Sequence, residues 1–181
     1  MSQAHAHSAS SHTHEKTVGI ETVEHLVEHL GEIVRPTTAI VCVGNELCGD
    51  DIAGVEIARR LKDAVPWDVY DVQTVPESFL MRIISRDPES LLLVDALDFG
   101  APVGSVEIIQ AESVGGQGPG THGPAPLAFL EIFRMMHPCP RAVLGIQPGT
   151  GEIGAEMTEP VRKAIDMVVE AFARLAGREG S

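Results

Sequence analysis

The chain has 181 residues, enough for one ordinary domain and short for two. Its apolar fraction is 44% but only 4% is aromatic, so the core has to be assembled from Val, Ile, Leu and Ala. A formal charge of −13 argues against nucleic acid or an anionic membrane surface as partner, because both are held by clustered Lys and Arg; it suits a cationic ligand, or simple solubility.

Three cysteines, Cys42, Cys48 and Cys139, form no CxxC pair, which fits a reducing compartment. Cys42 lies inside an apolar run and is expected in the core. Cys48 sits in an unusual loop, with no basic neighbour to make it a thiolate. No apolar run is long enough to cross a bilayer, and the N-terminus is polar instead of basic then apolar, so a cytoplasmic protein is expected.

Residues 1–18, MSQAHAHSASSHTHEKTV, are low in complexity and are expected to form a disordered tail. Its His5, His7, His12 and His14 could bind a divalent transition metal loosely or be an inert solvated segment. Residues 19–36 form an N-terminal helical extension, with Val23, Leu26, Val27 and Leu30 at helical spacing. His25 and His29, four apart, either share a metal or lie on an exposed face.

From residue 37 to 178 strands and helices alternate. TAIVCVG, ending at Gly44, is a strand suited to burial on both faces, followed by a helix from about Asp51 to Ala64. WDVYDVQTV (67–75) is a second strand, and Pro76 with Glu77 opens a helix through Ile84. SLLLVDA (90–96) and SVEIIQ (105–110) are the third and fourth strands. ESVGGQGPGTHGPAP (112–126) is the longest irregular stretch, of the kind that is usually functional or mobile. A helix from about Pro126 to Met136, the strand RAVLGIQ and a last helix from about Thr158 to Leu175 complete the chain. The pattern predicts an α/β three-layer sandwich, a mostly parallel five-stranded sheet between helices.

Ligands collect at the carboxyl ends of the strands of such a sheet. There the first run leads into Asn45, Glu46, Asp50 and Asp51, and the third ends in Asp95 with Asp98 three residues on. The glycine-rich loop supplies His122. A dinucleotide site needs GxGxxG and a P-loop needs GK[ST]; here Gly44, Gly49 and Gly54 are five apart and no such lysine follows. Asp50 and Asp51 would stand at a helix N-terminus, where they repel phosphate and attract cations. One of the two is expected to cap the helix, leaving the other surplus. Asp95 alone could cap a turn, and His122 alone could be an ordinary loop residue. Together, two carboxylates and an imidazole are the ligand set of an open metal site.

VGNELCGDDIAGVEIA (43–58), LLLVDALDFGAPVGSVEII (91–109), GTHGPAPL (120–127) and LGIQPGTGEIGAEMTEPVRKAI (144–165) resemble the nickel-iron hydrogenase maturation endopeptidases, which remove a C-terminal peptide from the nickel-loaded large subunit. LGIQP and MTEPV are similar to the branch acting on hydrogenase 3, the formate-hydrogenlyase type. The resemblance implies a twisted five-stranded sheet between helices, and a cytoplasmic aspartic-type or metal-assisted hydrolase. Asp51, Asp95 and His122 would meet the nickel, which the large-subunit precursor carries, and Asp51 and Asp95 would be the catalytic carboxylates. The N-terminal 35 residues have no counterpart in the family core. The rival expectation is a nickel-binding accessory protein for hydrogenase assembly that cleaves nothing.

Overall fold

The computed structural model describes residues 19–110 and 125–179. In chain order the strands are β1 (Gly19–Ile20), β2 (Thr38–Val43), β3 (Asp68–Gln73), β4 (Ser90–Ala96), β5 (Val106–Gln110) and β6 (Arg141–Ile146). The helices are α1 (Val23–Ile33), α2 (Ala53–Leu61), α3 (Leu80–Ile84), α4 (Ala125–Met136) and α5 (Glu159–Glu179). They form one sheet in the order β1-β5-β6-β4-β2-β3. The three pairings among β3, β2, β4 and β6 are parallel, whereas β5 runs antiparallel to β6 and β1 antiparallel to β5.

The α/β architecture with a mostly parallel sheet is as expected, and the five anticipated strands are present. A sixth, β1, is an addition: Gly19 and Ile20 pair with Glu107 and Val106 on the edge of the sheet. The expected helix from residue 19 therefore begins later, because Thr22 adopts extended backbone and its hydroxyl accepts the His25 N–H at 3.3 Å, the usual N-cap arrangement.

Both faces of the central strands are covered, which is why their sequences are continuously apolar. On β2, Ile40 and Cys42 face a core shared with Leu26 and Leu30 of α1, Ile57 of α2 and Phe172 of α5. Ala39, Val41 and Val43 face the opposite core, with Ile83 of α3 and Phe129 and Phe133 of α4. Cys42 is wholly buried, and that burial pushes its thiol pKa far up, so it is an inert core residue.

The order of the strands positions the site. From β2 the chain passes through α2 on one face to β3, then through α3 on the other face to β4, which lies on the far side of β2 from β3. The carboxyl ends of β2 and β4 consequently flank the switch point where connections diverge and open a crevice.

Candidate active site

The connection from β2 into α2 is not the simple helix expected from Asp51. A 3-10 turn over Gly49–Ile52 precedes α2, held by Asp51 N–H to the Cys48 carbonyl and Asn45 N–H to the Asp51 carbonyl, both 2.9 Å. Gly49 has a φ of +48°, a left-handed backbone that suits glycine. At Gly54 a Cβ would lie 1.9 Å from the Val43 carbonyl oxygen, so α2 starts against the backbone of β2 itself. The glycines that failed to match a phosphate-binding pattern thus serve to fold an acidic loop tightly over the strand end.

Asp50 corrects one expectation. Neither the 3-10 turn nor α2 has a side-chain cap at its N-cap position, so Asp50 does not cap the helix it precedes. Its carboxylate is fully buried and reaches across to the segment after β6. It accepts the backbone N–H groups of Gly149 at 2.7 Å, Thr150 at 3.1 Å and Thr158 at 2.6 Å, and the Thr158 hydroxyl at 3.0 Å. The acid therefore lies against the start of α5, where the dipole of that long helix favours a negative charge. Sequence reasoning missed this role because a local cap and a distant one look alike in a row of letters.

Asp95 is the penultimate residue of β4, opposite Gly145 of β6. Only 5% of it is exposed. Burial first, and the neighbouring Asp51 charge second, push its carboxyl up from the ordinary 3.8 to about 7, against a smaller lowering by a backbone hydrogen bond at Ala96. Asp51 and Asp95 are thus brought within electrostatic reach of one another, with Asp95 poised between its acid and base forms near neutrality.

A cavity of about 440 Å³ opens beside them, lined by Asp51, Ala96, Asp98, Pro148, Gly149, Thr150 and Gly151. Asp95 is not part of this lining, to which its chain neighbour Ala96 belongs. Gln147, also missed in the sequence, fixes the wall on the β4 side. Its Oε1 accepts the N–H groups of Phe99 at 2.9 Å and Ala101 at 3.2 Å, and its Nε2 donates to Asp98 Oδ1 at 3.1 Å.

The structure gathers Asp51, Asp95 and Asp98 at one end of the sheet. His122 and the His-rich stretch 1–18 lie outside the described residues. Among the described residues no three His, Cys, Asp or Glu side chains gather closely enough to hold a metal ion by themselves. Cys48 is half-buried and forms an isolated antiparallel bridge with Ile153. Among the described residues no helix is long and apolar enough to cross a membrane.

Residues 52–175 match the family model described as HycI, hydrogenase maturation protease. The hydrogenase 3 maturation protease of Escherichia coli K12 is 33% identical over 148 residues, 80% of this chain and 92% of that protein. Among solved structures, the endopeptidase HycI from Escherichia coli superposes with a TM-score of 0.66 at 32% identity, covering 80% of this chain and 92% of that one. HycI from Thermococcus kodakarensis KOD1, at 24% identity, shares the fold with a TM-score of 0.74 over 84% of this chain and 98% of that one. By its acidic loop, its buried strand-end aspartate and these relationships, the chain belongs to the HycI family of hydrogenase maturation proteases.

Proposed function

We propose that this hydrolase is an endopeptidase that removes the C-terminal peptide of a nickel-iron hydrogenase large-subunit precursor after nickel has been inserted. The metal belongs to the substrate: precursor thiolates carry it, and Asp51, Asp95 and His122 complete its surroundings on docking. Two carboxylates without a full ligand set suit a borrowed ion better than a resident one, since hard oxygen donors alone hold nickel weakly. The observation that carries the reading is the convergence of Asp51 and the buried Asp95 beside a cavity at the switch point.

In the hydrolytic step a water oxygen attacks the scissile carbonyl carbon. Asp95, with a pKa near the operating pH, takes the water proton and returns it to the leaving amide nitrogen as the C–N bond breaks. Bound nickel would supply polarisation of the carbonyl or the water, or act only in recognition. The neighbouring Asp51 keeps the pocket anionic and so selects a precursor that brings a cation.

The test is to mix the purified protein with precursor, with and without nickel loaded, and read the C-terminus by mass spectrometry. Cleavage confined to the loaded precursor supports the proposal. Absence of cleavage, with nickel passed to an empty precursor, would instead assign an accessory role in metal delivery.

A further inference from the structure

Helix α1 carries two imidazoles that the candidate active site does not use. His25 and His29 both lie within the regular turns of Val23–Ile33, four positions apart. Four residues advance a helix by about 6 Å and return it to within about 40° of the starting direction, so the two side chains stand one above the other on one face. Leu26, Val27, Leu30 and Ile33 are buried in the core, which leaves His25 exposed and His29 half-buried on the solvent side of the helix. The Thr22 hydroxyl accepts the His25 N–H and so fixes the backbone beneath the first ring.

The surroundings of the pair suit a cation. Among the described residues neither imidazole takes part in a hydrogen bond, so each neutral ring keeps a nitrogen lone pair open to a ligand. The helix contains Glu24, Glu28 and Glu32 and no Lys or Arg. Two guanidiniums that reach it are engaged elsewhere: Arg174 pairs with Glu24 at 2.6 Å and with Glu170, and Arg35 donates to the carbonyls of Val34 at 2.8 Å and Glu32 at 2.9 Å. Imidazole nitrogen favours zinc, nickel and copper over the hard alkaline-earth ions. Two histidines at this spacing are the pair that grips zinc in an HExxH helix. Because the helix already holds the second ring beside the first, capture by one ring makes capture by the other intramolecular.

We propose that His25 and His29 form a two-imidazole site for a divalent transition ion of the zinc, nickel or copper class, with water in the remaining coordination positions. The chain enters α1 from β1, which pairs with β5 beside the last residue of β6, so the helix starts at the sheet end where the cavity opens. None of the cavity-lining residues belongs to α1, so the site is separate from the cavity and does not rest on the endopeptidase reading. An ion gripped across one turn also clamps the first half of α1, because fraying would part its two ligands.

Zn²⁺ added alone to the full chain tests this, with imidazole and amide resonances followed residue by residue so that the histidines of residues 1–18 are read separately. The His25 and His29 rings should shift together along one binding curve, and amide hydrogen exchange over residues 24–30 should slow. His25→Gln and His29→Gln keep a polar helix former on the face. Each should weaken zinc binding at the remaining ring by about a hundredfold. The amide spectrum outside α1 reports that each variant is folded. Mg²⁺ at the same concentration should move neither ring. Rings that zinc leaves unmoved overturn the proposal. So does a response at one ring that survives loss of the other, since the ion is then held by a single histidine or together with a histidine of residues 1–18.

Discussion

The Asp50 carboxylate and the Thr158 backbone N–H meet at 2.6 Å although 108 positions separate them, and the Thr158 hydroxyl donates to the same carboxylate. One buried acid thus ties the loop bearing Asp51 to the wall at Gly149 and Thr150 and to the first residue before α5. Asp50→Ala takes the acceptor from these part-buried donors and leaves a cavity where the fully buried carboxylate stood. It should destabilise the protein by about 3 kcal/mol or more, measured by urea unfolding, since orphaned partners of a charged group cost more than those of a neutral one. Asp50→Asn, which keeps one acceptor oxygen, should cost less.

Asp95 gives the stability a definite pH signature. Its folded-state pKa is raised, to about 7 from 3.8, so the folded protein binds more protons than the unfolded chain between these values. Stability is full below the unfolded value and is lost as pH rises through the folded one, by up to about 4 kcal/mol. Asp95→Asn, which never ionises, should match the wild type near pH 3, become the more stable form across pH 4 to 7, and hold that advantage above it. Thermal unfolding at a series of pH values in metal-free buffer checks this.

Asp51→Ala should separate chemistry from folding. Cleavage of loaded precursor falls by about a hundredfold or more if this carboxylate meets the reacting centre. The same substitution removes a charge that raises Asp95, so the Asp95 titration, followed by carboxyl carbon NMR, should move down while staying above the ordinary range because burial remains. A titration that does not move would show that the two carboxylates are uncoupled.

Gly54→Ala tests how closely α2 abuts the sheet. The new methyl would lie 1.9 Å from the Val43 oxygen, and backbone cannot yield as a flexible side chain does. A loss on the order of 3 kcal/mol is expected despite alanine's better helix propensity, read as a lowered unfolding midpoint.

Much of this could be read from the residues alone. The apolar runs of β2 and β4 announced strands buried on both faces, and the acids after them marked the strand ends where the cavity opens, because both signals are local. Helix starts were less accessible: the turns at Gly49 and Pro76 tighten into 3-10 geometry before α2 and α3, set by contacts with the strand ends. The two-residue β1 was invisible, since Gly19 and Ile20 become a strand only through β5. Asp50 and Gln147 escaped for a related reason. Their partners are about a hundred and about fifty positions away, and nothing in the neighbouring letters distinguishes a long-range clamp from a local cap.

The clamp at Asp50 also sets a timetable. The ribosome releases Asp51 and Asp95 early, but the chain has no acceptor-bound wall at Gly149 and Thr150, and no anchor at Thr158, until its last helix has emerged. A nascent or prematurely ended chain therefore carries Asp51 and Asp95 before the wall opposite Asp51 is in place. The cavity wall is thus among the last parts of the fold that can close.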